Sequence, residues 1–338
     1  MISCIRFTIL FEEPMEFDDA VHERQTIEKP VIKELIRSDP VQRLKNIQQA
    51  GPQKYFTDKT PVTRFEHSLG VFFLLRKFDA STEEQIAGLL HDTPHTAFSH
   101  LVDFVFDTKH HDYHDDFLEE MVYDSEIPEI LEKYDINTEK VLDESKFKLL
   151  ERDMPSMCAD RIDYFLRDIK VHKDIDPQPF LDSLSVHENE LMLDDVDVAE
   201  EFSFYFIEMD RDGWASPKEV AVNEMFAQVI RRAFEIDLLT EEELFEDDNY
   251  VYQKVEDSDD DRINQLMNRL KSDFSVELLD DPEEADFQVS TKARFIDPHV
   301  YENGDVTRVS TSSKELRDKI KEHKDEVRSG YRIRIVEN

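Results

Sequence analysis

Apolar residues recur at three- and four-residue spacing over most of the first 240 positions, a period that belongs to helices rather than strands. Over 64–78 this places Phe65, Leu69, Phe72, Phe73 and Arg76 at helical intervals. Ser81 or Thr82 is suited to cap the next helix, Glu83 and Glu84 to its electropositive first turn, and Ile86, Leu89 and Leu90 to its inner face. That helix is expected to end near His91, where Pro94 forces a turn before the apolar stretch 98–106. A further helix is predicted over 147–169, carried by Leu150, Met154, Met157, Ile162, Phe165 and Ile169, with later helices over 197–209 and 217–237.

The texture then changes. An acidic stretch over 241–272 reads as a helical linker with a short helix near 262–270. Beyond it, 274–278, 285–295 and 331–336 alternate as strands do, Asn303-Gly304 signals a turn, and 312–327 is an amphipathic helix. The expected fold is mainly α: a helical body over 1–240, the acidic region, and a small α+β subdomain over 273–338. Only six glycines in 338 residues agree with a helical body.

Charge narrows the choice of partners. The 79 acidic residues outnumber 41 basic ones and give a formal net charge of −38. That repels nucleic acid over most of the surface, and no basic groove is visible, so polynucleotide binding is not expected. High-salt adaptation and ordinary solvated acidic faces explain the excess equally well. Cys4 and Cys158 are far apart, which argues against a disulfide framework or a cysteine-based zinc site, and Cys158 reads as core. The chain lacks a membrane-length apolar run and the basic start of a signal peptide, so a cytoplasmic location is expected.

The residues that carry chemistry are His67, the doublet His91-Asp92, Asp160, and the flanking His95 and His100. Imidazoles and carboxylates on helices are the usual ligands of a divalent ion that keeps positions open for water and substrate. A lone histidine is more often a core or surface group, so the set carries the argument rather than any member. Asp160, Tyr164 and Asp168 fall on one helix face at four-residue steps, a polar stripe about 12 Å long at ~1.5 Å per residue. The bland alternative is a solvated face on which Arg161 and Arg167 pair with the acids.

His67 within 64–70, the stretch His91-Asp92-Thr93-Pro94-His95-Thr96-Ala97-Phe98-Ser99-His100, and Asp160 ahead of Asp163-Tyr164-Phe165-Leu166-Arg167-Asp168 resemble the HD-domain phosphohydrolases. Together with Gln42-Arg43-Leu44-Lys45 and Gln49-Ala50-Gly51, they look most like the deoxynucleoside triphosphate triphosphohydrolase group within that superfamily. The resemblance is strong over 35–170 and extends weakly to Arg294-Phe295-Ile296-Asp297-Pro298. It implies that His67, His91, Asp92 and Asp160 hold one or more divalent ions, with Mn, Fe, Zn, Co, Ni and Mg all open. It puts His95, His100 and His114 at the scissile phosphate, with Asp103 and Asp115 as orienting carboxylates. His100 is the preferred acid for the leaving sugar oxygen, and His95 and His114 are its rivals.

Tyr164 and Asp168 are then expected at phosphate or sugar, and Gln49 at base or sugar. Arg64 and Arg161 are expected to clamp phosphate oxygens, for which guanidinium is suited. Asp39, Gln42 and Lys45 occupy the place of a nucleotide-effector site at an oligomer interface in relatives, with helix-start capping by Asp39 the plainer account. Pro94 and Thr96 depart from the small, glycine-containing sequence usual after the doublet and narrow the backbone there. Three functions follow: release of triphosphate from a dNTP; phosphoester hydrolysis of a nucleoside monophosphate, cyclic dinucleotide or alarmone; and nucleotide sensing without turnover.

Overall fold

Thr63 opens the first long helix with a reciprocal cap: its hydroxyl accepts from Glu66 N at 3.2 Å, and the Glu66 carboxylate accepts from Thr63 N at 2.8 Å. This fixes the start of α1 (Arg64–Lys77), which is buried on nearly every side and runs through the centre of the molecule. The computed structural model describes residues 13–107, 113, 115–289, 292–302, 304–328 and 330–337.

Ser81, not Thr82, caps α2 (Thr82–Leu90), accepting from Glu84 N at 3.1 Å. The helix expected over 147–169 is shorter: α3 spans Ala159–Lys173, and 147–158 is an irregular run. Pro155 lacks an N–H and disfavours helix at Met154, while the buried Glu84 carboxylate accepts from Leu149 N and Leu150 N at 2.8 and 3.2 Å. α4 (Val196–Met209) continues into a π-helical turn, Asp210–Trp214, and α5 (Pro217–Glu235) follows with Ser216 as its cap. The apolar faces of α1 to α4 build one core around Phe72, Phe165, Phe202 and Phe206. A second core surrounds Phe226 of α5.

At Gly70 the side chains of Asp163 and Arg167 from α3 lie directly against α1. A Cβ there would lie 1.9 Å from Asp163 Oδ1 and 2.2 Å from Arg167 Nη2, so only glycine lets these side chains lie across α1.

The acidic stretch is helical at Asp248–Glu256 and Asp261–Lys271, and it buries Val251, Val255, Ile263, Leu266, Met267 and Leu270 against α5. The strands are few. β1 (Met15–Asp19) and β2 (Glu23–Ile27) form an antiparallel hairpin. β3 (Leu184–His187) and β4 (Glu190–Leu193) form another, which the sequence pattern did not suggest.

The C-terminal alternation becomes β5 (Phe274–Leu278), β6 (Phe287–Val289), β7 (His299–Glu302), β8 (Asp305–Arg308) and β9 (Tyr331–Glu337), with α6 (Lys314–Arg328) before the last strand. These strands serve two sheets, ordered β3-β4-β7-β8 and β5-β9-β6. Gly304 begins the return from β7 to β8 at φ 94°; Asn303 lies outside the described residues. The C-terminal α+β part is thus anchored in both cores: Ile296, Val300 and Leu316 in the first, Phe274, Ile333 and Ile335 in the second.

Candidate metal centre and active site

The capped start of α1 points His67 at α3, and the end of α2 delivers His91 and Asp92 to the same place. His67 Nε2 lies 3.0 Å from Asp160 Oδ1 and 3.7 Å from Asp92 Oδ2. His91 Nε2 lies 3.4 Å from Asp92 Oδ1 and 3.6 Å from Asp160 Oδ1. One ligand atom each of His67, His91 and Asp92 falls within 4.8 Å of the others. The chemistry of this set fits a divalent ion. His91 Nδ1 donates to Gly88 O at 2.9 Å, which turns the buried Nε2, without a hydrogen-bond partner among the described residues, toward Asp92 and Asp160. His67 Nδ1 donates to Asp163 Oδ2 at 2.8 Å, which turns its Nε2 toward Asp160 and Asp92.

Without an ion the cluster balances its own charge. Burial opposes the imidazolium at His91, but Asp92 and Asp160 outweigh it and raise the ring to about 10. At Asp160 burial opposes the carboxylate, yet His67 and His91 hold it well below the usual range; at Asp92, Arg64 and the surrounding histidines do the same.

Asp163, to which the sequence reading gave no role, holds the His67 ring from behind. Fully buried, it accepts from His67, from His22 Nε2 at 3.1 Å, and from Arg167 Nε and Nη2 at 3.1 and 3.0 Å. Arg167 also reaches Asp19 at 3.0 Å, so the β1–β2 hairpin braces Asp163, and through it the His67 ring, by way of His22 and Asp19. Its signal was its place one turn from Asp160 on the same helix.

Above the cluster opens a cavity of about 360 Å³, whose lining includes Gln49, Arg64, His91, Asp92, His95, His100, Asp160, Tyr164 and Asp168. The polar stripe of α3 therefore does run along one wall. Gln49 Oε1 is buried without a hydrogen-bond partner among the described residues. Asp168 accepts from Trp214 Nε1 at 2.6 Å, and burial raises its carboxyl. Tyr164 packs edge-on against Trp214 with centroids 5.1 Å apart. Trp214, the chain's single tryptophan, and Arg294 also line the cavity and had no assigned role.

The segment between the doublet and His100 is held from outside. Phe98 and Ser99 both adopt left-handed backbone, at φ 60° and 53°, a conformation that costs about 1–3 kcal/mol per residue. Asp248 accepts from Phe98 N at 2.6 Å and Gln48 N at 2.9 Å, Ser99 Oγ donates to Gln48 O at 2.6 Å, and Arg43 Nη2 donates to Thr93 O and His95 O at 2.7 and 2.6 Å. The strain is thus retained where His95 and His100 are aimed. Asp248 gave no sequence signal, being one acid in an acidic run.

His95 Nε2 lies 3.2 Å from Asp92 Oδ1 and packs edge-on to His100, centroids 5.1 Å apart. His100 Nδ1 pairs with the buried Asp103 at 3.3 Å. Burial, with Arg64 and Arg294 nearby, holds His100 below the ordinary imidazole range.

Other expected contacts lie elsewhere. Arg64 faces the cavity, but its Nη1 is bidentate to Asp92 at 3.0 and 3.2 Å and its Nε donates to Ser99 Oγ at 2.9 Å. Arg161 is outside the lining; it donates to Arg152 O, Ser156 O and Glu151 Oε1, tying down the irregular run before α3. Asp115 begins the short turn Asp115–Phe117, and His114 lies outside the described residues. Asp39 sits in the first turn of helix Asp39–Arg43, whose cap is Ser38, so it does not cap that helix. Lys45 Nζ donates to Gln42 Oε1 at 2.7 Å and lies over the Phe65 ring. No helix among the described residues is long and apolar enough to cross a membrane.

A helical core that brings two histidines and two aspartates to the floor of a cavity defines a metal-dependent hydrolase. The HD-domain family model matches residues 64–168. The chain is 38% identical over 291 residues to the uncharacterized protein YdhJ of Bacillus subtilis, covering 85% of this chain and 89% of that one. It is 34% identical over 222 residues to the metal-dependent phosphohydrolase cns2 of Cordyceps militaris, covering 63% and 64%. A shorter match, 30% over 147 residues, joins 37% of this chain to 24% of the chicken deoxynucleoside triphosphate triphosphohydrolase SAMHD1. A solved phosphohydrolase from Bacteroides thetaiotaomicron shares the fold at TM-score 0.68 and 18% identity over 96% of this chain and 98% of that one. The chain belongs to the HD-domain metal-dependent phosphohydrolases.

Proposed function

We propose that the protein hydrolyses the phosphoester of a nucleotide in the cavity above His67, His91, Asp92 and Asp160, and that a deoxynucleoside triphosphate, split into deoxynucleoside and triphosphate, is its substrate. The observation that carries the phosphoester reading is the convergence of the buried, partnerless His91 Nε2 with His67 Nε2 on Asp92 and Asp160 at the cavity floor. A divalent ion there supplies a Lewis acid for the phosphate and an acidified water. The protein's own part is to aim and exclude. Asp103 orients His100 as proton donor to the leaving oxygen. The low proton affinity of His100 before substrate arrives is offset by the phosphate charge itself. Gln49 offers its unmatched amide oxygen to base or sugar, and Tyr164 and Asp168 border the sugar. The dNTP reading is supported by the partial likeness to a deoxynucleoside triphosphate triphosphohydrolase.

A nucleoside monophosphate is the second reading, and one observation favours it. Glu144, Glu151 and Asp168 line the cavity besides the ligand acids, a poor setting for a triphosphate tail. Exposed Lys45, with Gln42 and Asp39, is the candidate effector contact between copies of the chain. Chromatography of products from metal-loaded protein with mixed dNTPs, with and without GTP, tests all three. Tripolyphosphate supports the first reading, orthophosphate from monophosphates the second, and a rate unchanged by GTP removes the effector. No turnover of either nucleotide class with any of Mn, Fe, Co, Ni, Zn or Mg overturns the enzyme's assigned substrates.

A further inference from the structure

The cavity is lined by Asp92, Glu144, Glu151, Asp160 and Asp168, and among the described residues its guanidinium groups are Arg64 and Arg294, with no lysine. Arg64 engages its Nε with Ser99 and its Nη1 with both oxygens of Asp92. Arg294 comes from the C-terminal part, just ahead of β7, and its side chain is 24% exposed. Its guanidinium Nη1 is 3.7 Å from Asp210 Oδ1, beyond hydrogen-bond reach.

What holds Arg294 is built deeply into the fold. Its backbone N donates to Asp210 Oδ2 at 2.7 Å, and His323 Nε2 of α6 meets the same oxygen at 2.8 Å. Asp210 is fully buried, His323 nearly so, and Asp210 Oδ1, without a hydrogen-bond partner among the described residues, lies 3.7 Å from the Arg294 guanidinium. A buried carboxylate with one oxygen left unmatched is costly, and it persists where it orients a neighbouring charge. Asp210 begins the π-helical turn whose last residue, Trp214, donates to Asp168 on another wall of the cavity. One turn thus positions both a cavity carboxylate and a cavity guanidinium whose hydrogen-bonding fork is not engaged by Asp210, and whose charge is felt by His100 and Tyr164.

We infer that Arg294 is the phosphate-recognition group of this site, presented by the C-terminal part and oriented by Asp210 and His323 as positioning residues. This rests on the phosphoester reading and extends it: the helical core holds the ion, and the segment before β7 supplies the anion contact that Arg64 and Arg161 do not. A guanidinium suits the fork of phosphate oxygens, and a charged hydrogen bond of this kind is worth roughly a tenfold to hundredfold change in affinity.

The test is calorimetric titration of metal-loaded full-length protein with orthophosphate and with tripolyphosphate, beside steady-state hydrolysis of whichever nucleotide the wild type turns over. Arg294→Ala is expected to weaken anion binding about tenfold to hundredfold and to raise KM similarly, with kcat and metal content nearly unchanged. Arg294→Lys should recover part of the loss, and Asp210→Asn should move KM in the same direction by less. Circular dichroism checks that each variant is folded. Anion affinity within twofold of wild type in Arg294→Ala overturns the inference, as does a fall in kcat with KM and anion affinity unchanged. A wild type that binds neither anion overturns it too. A wild type that binds anions but hydrolyses no phosphoester sinks the functional reading and leaves the anion contact standing.

Discussion

Replacing Gly70 by alanine tests whether the metal site depends on the close passage of α1 over α3. The added Cβ would sit 1.9 Å from Asp163 Oδ1, 2.5 Å from its Cγ and 2.2 Å from Arg167 Nη2, far inside van der Waals contact. Neither obstacle is a free side-chain end. Asp163 is fixed by His22, His67 and Arg167, and Arg167 by Asp163 and Asp19. Overpacking of this kind costs about 1–3 kcal/mol. Pulling Asp163 from the His67 ring forfeits a charge-assisted hydrogen bond worth about 1.5–3 kcal/mol. The sum is about 2.5–6 kcal/mol. With an unfolding entropy of about 2.1 cal/mol/K for each of 338 residues, that is a fall of about 4–8 °C in Tm.

The second consequence is specific to the site. His67 loses the partner that fixes its tautomer, and loss of such support weakens metal binding about tenfold to hundredfold. Gly88→Ala is the comparison: its Cβ meets Leu75 Cδ1 at 2.4 Å, the end of a side chain that can turn, so its Tm should fall less. Differential scanning calorimetry of metal-free protein and competitive chelator titration read the two effects separately. A Gly70→Ala protein with Tm within 1 °C of wild type and unchanged metal affinity would refute the claim that this contact governs the ligand.

Asp160→Ala and His91→Ala should each abolish metal retention and phosphoester hydrolysis while leaving the fold in place, read by elemental analysis and product formation; retained turnover in either removes that residue from the ligand set. Because the metal-free site keeps protons on His91, raised to about 10, and on His67, also raised, ion binding must displace them. Affinity should therefore climb between about pH 7 and about pH 9, with proton release visible as a buffer-dependent heat; equal heats in buffers of different ionisation enthalpy would count against it. Burial raises Asp248 to about 7, against the pull of Phe98 N and Gln48 N. A carboxyl whose folded pKa is raised favours the fold while protonated, so its contribution is complete below about pH 4 and lost as pH rises through about 7. The loss is up to about 4 kcal/mol, and Asp248→Asn should flatten that part of the stability profile in urea unfolding; an equally steep profile in the variant would reject Asp248 as its source.

The helices that carry the ligands were legible because their signals are local. The Ser81 cap, the run of inward positions in α2 and the break at Pro94 all act within about three turns of His91. The four-residue steps of Asp160, Tyr164 and Asp168 survive any error in where α3 begins, which is why the overlong helix over 147–169 left the stripe intact. That error itself is tertiary: Leu149 and Leu150 are drawn out of a helical pattern when their N–H groups bond a carboxylate 65 residues earlier. The same distinction governs the site. Arginine chemistry made Arg64 and Arg161 reasonable phosphate clamps, but sequence does not say which acid a guanidinium will meet, and both are engaged inside the fold. Arg294 lay in a segment read as a C-terminal strand, yet that part is anchored in the first core through Ile296 and Val300, which brings it to the cavity. The candidate metal ligands were legible through the family resemblance carried by His67, the His91-Asp92 doublet and Asp160; Asp163 behind His67, Asp248 behind Phe98 and Asp210 behind Arg294 follow from packing between segments dozens of residues apart.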